Sequence, residues 1–377
     1  MKKLIFITGT RADYGKLEPL ALAALEEGHE VHFFVTGMHL IERYGLTTIE
    51  VARQKEFKRR EFHNQNEGDS QDQVLSNTIN GFANYIKKEI PDLVIIHGDR
   101  IEALAASLVC SINYIRSVHI EGGEVSGTID EVYRHCNTKL CSAHFVSSIS
   151  AQNRVIRLGE KPESVFILGS PELDTHKKKT GINLDTVRKR YDILWEDFGV
   201  AIFHPVTSEL HNIEIQAQEF FNTLSESNNK FVTIAPNNDP GSNKIFKIIE
   251  QLPKERFRLI PSMRFLYFSE LLRHSKVLVG NSSAGVREAP FFGLPSLDVG
   301  TRQNLRNQSD SIFNTTAFEK MKILNFLKTQ WGEKYKKDSS FGVGNSSENF
   351  KKILSNSELW KLPLQKVFFD GSLPKTK

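Results

Sequence analysis

The chain has 377 residues, 39% of them hydrophobic and 25% charged, and 49 Lys and Arg against 45 Asp and Glu give a net charge of +4. This length exceeds a single typical core and favours two domains, while charges spread along the chain without a basic block do not indicate nucleic-acid binding. The N-terminal apolar run, about five residues, is too short for a signal core, and no stretch approaches the roughly twenty apolar residues that cross a bilayer. Cys110, Cys136 and Cys141 lie in apolar surroundings, so we expect reduced thiols in a cytoplasmic protein with no membrane partner.

Short apolar runs alternate with amphipathic stretches, which is the pattern of a parallel sheet covered by helices on both faces. The first series predicts strands at 3–8, 29–36, 92–97, 117–120, 143–147 and 165–169, and helices at 14–27, 71–88, 100–112, 129–142 and 150–158. The second series predicts strands at 198–204, 231–235, 257–260, 277–280 and 295–299, and helices at 214–225, 243–252, 266–274 and 284–292.

A basic connector, HKKKTG, follows Asp174 and separates the two series. The sequence therefore predicts an α/β protein of two Rossmann-like doubly wound domains, 1–174 and 175–357, with a cleft between the carboxyl ends of their strands. The chain becomes helical again after about residue 347. We expect a C-terminal helix at about 358–377 to pack back on the first domain.

The most acidic motif is HIEGGEVSGTIDEVYRH, from His119 to His135, which we interpret as a strand end, a glycine turn and a helix start. Asp130 and Glu131 fall in the first helical turn. Acids are common there because they cap the helix and interact favourably with the positive end of its dipole. Glu121 follows strand residues and has no helix to cap. It is therefore the stronger catalytic candidate, while Asp130 and Glu131 either cap or catalyse.

A second strand end carries the motif HGDR, in which Asp99 either caps the next helix or joins Glu121 in one active site. Two carboxylates held close together raise one pKa, which provides a protonated acid beside an ionised base. A metal site made of His97, Asp99, His119 and Glu121 is a weaker alternative, because spacing alone does not set metal geometry. We expect neither a metal nor a redox cofactor.

The first predicted strand ends in GTRADYG, which resembles a phosphate-binding P-loop without matching it. Five residues separate the two glycines instead of four, and a leucine follows the lysine where Ser or Thr would bind magnesium. This excludes an ATPase of that class. Arg11, at a strand end beside a helix N-terminus, is either an anion ligand or a surface arginine at a turn.

Two further strand ends in the second half carry polar side chains. His204, in FHPVTSE, either donates to a backbone carbonyl or serves as a cationic partner for a leaving phosphate. The loop PNNDPGSNK includes Asn237 and Asp239, which either line a nucleoside pocket or form only a turn.

The motif GNSSAGVREA is the most informative stretch of the second half. Ser282 and Ser283 stand before a predicted helix, and hydroxyls with exposed amides at a helix start suit a diphosphate without any lysine. Glu288, about one and a half turns into that helix, is placed to accept the two hydroxyls of a ribose.

The motifs GTRADYG, VTGMHL, HGDR, HIEGGEVSGTIDEVYRH, FHPVTSE, PNND, GNSSAGVREA and GTRQ occur in this order over about 300 residues. Together they resemble the hydrolysing UDP-N-acetylglucosamine 2-epimerases of sialic-acid and related nonulosonic-acid biosynthesis. The resemblance implies a glycosyltransferase-B type fold with the active site in the cleft between two Rossmann-like domains. It also implies a UDP-sugar as the small-molecule partner and a homodimer.

The resemblance also implies roles for individual residues. It makes Asp99, Glu121 and Asp130 the acid and base carboxylates, Glu131 a substitute for Asp130, and His204 a group on the phosphate side. Its UDP-binding positions fall on Arg11, Ser282, Ser283, Glu288 and Arg302, and a position near the sugar falls on His39.

The implied reaction removes UDP from the sugar by elimination across C1 and C2, then adds water to the glycal with inversion at C2. The expected substrate is UDP-N-acetylglucosamine, and the product is N-acetylmannosamine. A UDP 2,4-diacetamido-2,4,6-trideoxy sugar, on the route to legionaminic acid, is an alternative. A UDP-dependent glycosyltransferase and a non-enzymatic nucleotide-sugar sensor are the competing functions, and the sequence does not assign acid and base among the carboxylates.

Overall fold

A computed structural model describes residues 1–178 and 181–370. The chain forms two compact units, the first made of Met1–Glu124, Asp130–Lys177 and the residues from Ser340 onward, the second made of Val125–Ile129 and Lys178–Ser339. The predicted boundary was Asp174, and the predicted return to the first domain was at about residue 358. The first unit extends through α7 (Glu172–Lys177), and the chain returns to it at Ser340.

The first unit contains a seven-stranded sheet in the order β3-β2-β1-β4-β5-β6-β7, and its neighbouring strands pair in parallel. Its strands are β1 (Lys3–Thr8), β2 (Glu30–Val35), β3 (Lys58–Glu61), β4 (Leu93–His97), β5 (Ser117–Ile120), β6 (Ala143–Val146) and β7 (Val165–Ile167). Its helices are α1 (Arg11–Glu26), α2 (Thr48–Ala52), α3 (Gln71–Glu89), α4 (Ile101–Ile112), α5 (Asp130–Leu140), α6 (Ile149–Arg157), α7, α14 (Ser346–Ser355) and α15 (Ser357–Lys361).

The second unit contains a six-stranded parallel sheet in the order β10-β9-β8-β11-β12-β13. Its strands are β8 (Gly199–Ile202), β9 (Phe231–Ile234), β10 (Phe257–Ile260), β11 (Leu278–Gly280), β12 (Ser296–Val299) and β13 (Ile312–Thr315). Its helices are α8 (Leu184–Tyr191), α9 (Ile213–Glu226), α10 (Ser242–Glu250), α11 (Phe265–His274), α12 (Glu288–Phe292) and α13 (Lys320–Gln330).

The prediction of two doubly wound α/β halves is confirmed. In each sheet the chain starts at a central strand, winds outward to one edge and then returns to build the other, so the strand order reverses beside that first strand. Central strands such as β1 and β4 are apolar and almost wholly buried, because helices cover both faces of a parallel sheet. Among the described residues, no helix combines the length and apolarity needed to span a membrane.

The predicted C-terminal helix at about 358–377 is shorter than expected over its described part. The helix α15 ends at Lys361, and residues 362–370 are not helical. Pro363 explains the stop, because a proline disfavours helical backbone at the residue before it. Residues 371–377 of that prediction lie outside the described residues, as do residues 179 and 180 of the basic connector.

Candidate active site

Two neighbouring strands of the first unit end beside each other and carry the two main carboxylate candidates. Strands β4 and β5 pair so that His97 lies opposite Ile120, and the Gly98 N–H donates to the Ile120 carbonyl at 3.0 Å. Asp99 and Glu121 come just after this pair. The carboxyl edge of a doubly wound sheet is where α/β proteins bind ligands.

Glu121 is held in an unusual environment. Its backbone has a φ of 69°, in the left-handed region that non-glycine residues seldom occupy, and its side chain is buried. The Lys16 ammonium, on α1, lies 2.9 Å from Glu121 Oε1 and 3.6 Å from the wholly buried Glu172. The His97 imidazole is 3.3 Å from the same Glu121 oxygen. A lysine between two buried carboxylates favours ionised acids here.

The turn that follows Glu121 requires glycine. Gly123 has a φ of 77°, and a Cβ atom there would lie 2.2 Å from the Ala151 carbonyl oxygen. A larger residue at this position would therefore push the turn away from α6.

Asp99 is paired with a cation from α5. The Arg134 guanidinium is fully buried, and it donates through Nη2 to Asp99 Oδ2 and through Nη1 to the Glu124 carbonyl at 3.1 Å. The Glu124 carboxylate accepts a hydrogen bond from the Ser147 hydroxyl. Glu124 therefore has a structural role in the turn, whereas Asp99 stands at the strand end with its charge balanced.

Asp130 and Glu131 occupy the first turn of α5, as predicted, and both are partly buried. The Glu131 carboxylate lies 3.7 Å from His135 Nε2 one turn later. Acidic side chains in a first turn interact favourably with the positive end of the helix dipole. Their position fits both the capping and the catalytic interpretation.

Arg11 is the first residue of α1, and its guanidinium lies 3.7 Å from the Glu50 carboxylate. His39 is fully buried, with Nε2 3.0 Å from the Thr8 hydroxyl and Nδ1 2.7 Å from the Thr47 hydroxyl. Burial lowers the pKa of His39 to about 4, so the ring is neutral. This geometry places His39 in the framework below the β1–α1 loop, and it gives no support to a direct sugar contact.

The geometry of His119 does not support the alternative of a metal site. His119 is fully buried, and its two ring nitrogens bond to the Thr138 hydroxyl at 3.0 Å and the Gly98 carbonyl at 2.8 Å. Over residues 1–178 and 181–370, no group of three or more His, Cys, Asp or Glu side chains is arranged to hold a metal ion.

In the second unit, one buried amide holds the loop that carries His204. Asn281 Oδ1 accepts the His204 backbone N–H at 2.6 Å, and Asn281 Nδ2 donates to the His204 carbonyl at 2.8 Å. The Asn237 backbone N–H donates to His204 Nδ1 at 3.2 Å, which leaves the proton of a neutral ring on Nε2. The side-chain amide of Asn237 donates through Nδ2 to the Asp239 carboxylate at 2.5 Å. These contacts join three of the predicted loops.

The strand preceding Asn281 ends in a glycine whose conformation is required. Gly280 has a φ of 125°, and a Cβ atom there would lie 1.9 Å from the Ile202 carbonyl oxygen. Strands β8 and β11 can approach closely at this point only because Gly280 has no side chain.

The predicted helix at 284–292 is wrong in its first half. Ser282 caps a 3-10 turn, Ser283–Gly285, by accepting the Ala284 N–H at 3.3 Å. The helix α12 begins only at Glu288, so this buried residue is not one and a half turns inside a helix. Pro290 explains the late start, because a proline has no N–H to donate and is tolerated only in the first turn.

The loop after β12 contacts the backbone of the same residue, Asn281. Arg302 Nη1 and Gln303 Nε2 donate to the Asn281 carbonyl at 3.3 and 3.0 Å, and the Arg302 carbonyl accepts the Gly127 N–H at 3.1 Å. Asp298, on β12, is buried. Burial raises the pKa of its carboxyl to about 7, although Arg302 and Arg306 oppose the shift.

Sequence reasoning missed the residues that hold the predicted ones in place, namely Lys16, Arg134 and Asn281. Lys16 and Arg134 lie 105 and 35 residues from their carboxylate partners. Asn281 lies 77 residues from His204. The sole signal for Asn281 was its place directly after the glycine that ends a predicted strand.

Comparisons with known proteins identify the family. The family model described as UDP-N-acetylglucosamine 2-epimerase matches residues 23–355. A Neisseria meningitidis protein named UDP-N-acetylglucosamine 2-epimerase is 42% identical over 381 aligned residues, which cover 99% of this chain and 100% of that one. A Legionella pneumophila protein named UDP-N,N'-diacetylbacillosamine 2-epimerase (hydrolyzing) is 33% identical, with 97% and 99% covered.

Solved structures show the same fold. A Methanocaldococcus jannaschii UDP-GlcNAc 2-epimerase, crystallised in complex with UDP-GlcNAc and UDP, superimposes with a TM-score of 0.76 at 20% identity. The match covers 94% of this chain and 99% of that one.

Proposed function

Because the chain belongs to the UDP-N-acetylglucosamine 2-epimerase family, we propose that it is the hydrolysing form of the enzyme. It converts UDP-N-acetylglucosamine and water into UDP and free N-acetylmannosamine. The observation that carries the proposal is the pair of carboxylates, Asp99 and Glu121, at adjacent strand ends, each beside a cation. The Legionella relative, whose name includes hydrolysis, supports the hydrolysing form.

The chemistry follows from the position of the proton to be removed. The C2 hydrogen has no neighbouring carbonyl in the ring, so a carboxylate cannot remove it first. UDP leaves with both electrons of the C1–O bond, positive charge develops at C1, and a carboxylate takes the C2 proton to give the glycal. Water then supplies hydroxide to C1, and a proton is added to C2 from the opposite face. Ionised carboxylates stabilise the developing charge, and a protonated one completes the hydration.

The proposed roles divide the candidate residues between the sugar and the UDP group. Asp99 and Glu121, with Asp130 or Glu131, act on the sugar, and Lys16 keeps the Glu121 carboxylate ionised. On the leaving diphosphate we place the donors Arg11, His204, Ser282, Ser283 and Arg302. Glu288 would accept from the ribose, and the loop with Asn237 and Asp239 would line the nucleoside pocket.

The second candidate is the same reaction on a UDP 2,4-diacetamido-2,4,6-trideoxy sugar. The Legionella relative, named for a diacetylbacillosamine substrate, favours it. The higher identity of the Neisseria relative, 42% against 33%, favours UDP-N-acetylglucosamine as the first substrate to test.

One NMR assay in deuterated water separates these possibilities. With UDP-N-acetylglucosamine we expect UDP, free N-acetylmannosamine and deuterium at C2. Accumulation of UDP-N-acetylmannosamine without a free sugar would show a non-hydrolysing epimerase, and protium retained at C2 would refute the elimination. Turnover of the diacetamido sugar alone would establish the second candidate. Binding of both sugars without turnover would refute the enzyme and favour a sensor.

A further inference from the structure

Helix α5 buries a face that is wholly polar. Its buried residues are Arg134, Asn137 and Thr138, at helical spacings of three, four and one, while Val132 is half exposed. A helix on a protein surface normally turns its apolar side inward. Polar groups are costly to bury unless each has a partner, so the partners of this face indicate what it is for.

Two of the three side chains hold the Gly98 carbonyl just before Asp99, Asn137 directly and Thr138 through His119. Asn137 Nδ2 donates to the Gly98 carbonyl at 3.1 Å, and His119 Nε2 contacts the same oxygen at 2.8 Å. Burial lowers the pKa of His119 to about 3, so the ring is neutral. Its proton is therefore on Nε2, where it donates to Gly98, and Nδ1 accepts from the Thr138 hydroxyl.

The third side chain holds the Asp99 carboxylate itself. Burial would lower the pKa of the Arg134 guanidinium, but the neighbouring Asp99, Glu124 and Glu121 carboxylates raise it. Arg134 therefore keeps its charge. Asp130, four residues earlier, lies on the same side of α5 and in its first turn. Arg134 thus ties one candidate carboxylate to the helix that carries another.

We propose that the buried polar face of α5 is a positioning element, in which Arg134 fixes the orientation of the Asp99 carboxylate for the reaction. The inference rests on the proposed function. An ion pair with a buried partner seldom adds more stability than apolar packing of the same volume, so the value of this pair, in which Arg134 is buried and Asp99 partly exposed, lies in orientation. The planar guanidinium bonds Asp99 and the Glu124 carbonyl at once, which a lysine ammonium cannot do with the same geometry.

A double-mutant cycle tests whether Arg134 acts through Asp99. We expect Arg134→Met to lower kcat by ~10- to 100-fold with little change in KM, the usual effect of removing a partner that orients a reactive group. In an Asp99→Asn background the same change should alter kcat by less than about threefold, because its target is gone. Full additivity of the two losses would overturn the proposal.

Two further variants separate positioning from stability. Arg134→Lys keeps the charge and should recover part of kcat, and it remains informative if Arg134→Met does not fold. Arg116→Met is the matched control, since Arg116 makes three hydrogen bonds to the carbonyls of Leu359, Trp360 and Leu362 in the same unit. We expect it to lower thermal stability without a selective loss of kcat.

A measurement without substrate keeps this inference separate from the proposed function. In protein with ¹³C-labelled aspartate carboxyls, the Asp99 resonance, identified by its loss in Asp99→Asn, should titrate at higher pH in Arg134→Met, because a cation has been removed. An unchanged midpoint would overturn the inference. If the unaltered protein converts neither sugar nucleotide, the proposed function fails, and this titration still decides the role of Arg134.

Discussion

The carboxyl ends of the strands differ between the two units in how their polar groups are held. In the first unit, acids are paired with cations, Glu121 with the partly buried Lys16 and Asp99 with the fully buried Arg134. In the second, the neutral amide of Asn281 holds the backbone of His204 from both sides. Paired charges keep carboxylates ionised and oriented, which suits proton transfer. A loop fixed through its backbone leaves side chains and amides for a ligand, which suits binding.

The largest effect should come from the first unit. Glu121→Gln keeps the size of the side chain but removes its ionisable carboxyl group, so we expect kcat to fall by ~10³-fold or more, within the range for a general acid or base. UDP affinity, measured by calorimetry, should change little because Glu121 is not among the proposed diphosphate ligands. Near-normal turnover would contradict the assignment, and Glu163→Gln, at an exposed site in the same unit, provides the control.

An opposite pattern is expected for the second unit. Asn281→Ala leaves two backbone groups of His204 without their amide partner, at a cost of about 1–3 kcal/mol per buried group. We expect UDP to bind ~10-fold more weakly, with a smaller change in kcat at saturation. The control is Asn307→Ala, which removes hydrogen bonds to Val286 and Asp338 in the same unit. A fall in kcat with unchanged UDP affinity would contradict the proposed difference between a catalytic first unit and a UDP-binding second unit.

The smallest effect concerns stability and its dependence on pH. The Asp298 pKa of about 7 exceeds its ordinary value of 3.8, so between these values the folded state binds more protons than the unfolded chain. Stability should therefore fall as the pH rises from about 4 to about 7, by a few kcal/mol at most. Asp298→Asn should unfold at a higher temperature than the unaltered protein at pH 8, with little difference at pH 4.

An exposed carboxylate in the same unit provides the control for this experiment. Asp185 is largely exposed, so Asp185→Asn should leave the pH dependence of the unfolding temperature unchanged. An equal effect of Asp298→Asn at both pH values would show that the Asp298 carboxyl does not titrate in this range.

The sequence by itself determined the elements that are apolar and local. The bounds of β1, β5 and β10 are as predicted, because each is a short apolar run ended by polar or glycine residues. The edge strand β3 escaped prediction, since all four of its residues are exposed and charged. Strand β13 and helix α13 were also missed. The acids of HGDR and HIEGG were found because strand ends can be identified from hydrophobic pattern.

Only the tertiary structure decided how these acids are used. Glu121 and Asp99 are paired with Lys16 and Arg134, which other elements bring to them. The polar inward face of α5 is also invisible in the sequence, where Arg134, Asn137 and Thr138 fit an ordinary exposed helix surface. Hydrophobic periodicity records which side chains avoid water, but it does not record which polar groups meet across the fold. That information arises only when distant strands and helices pack together.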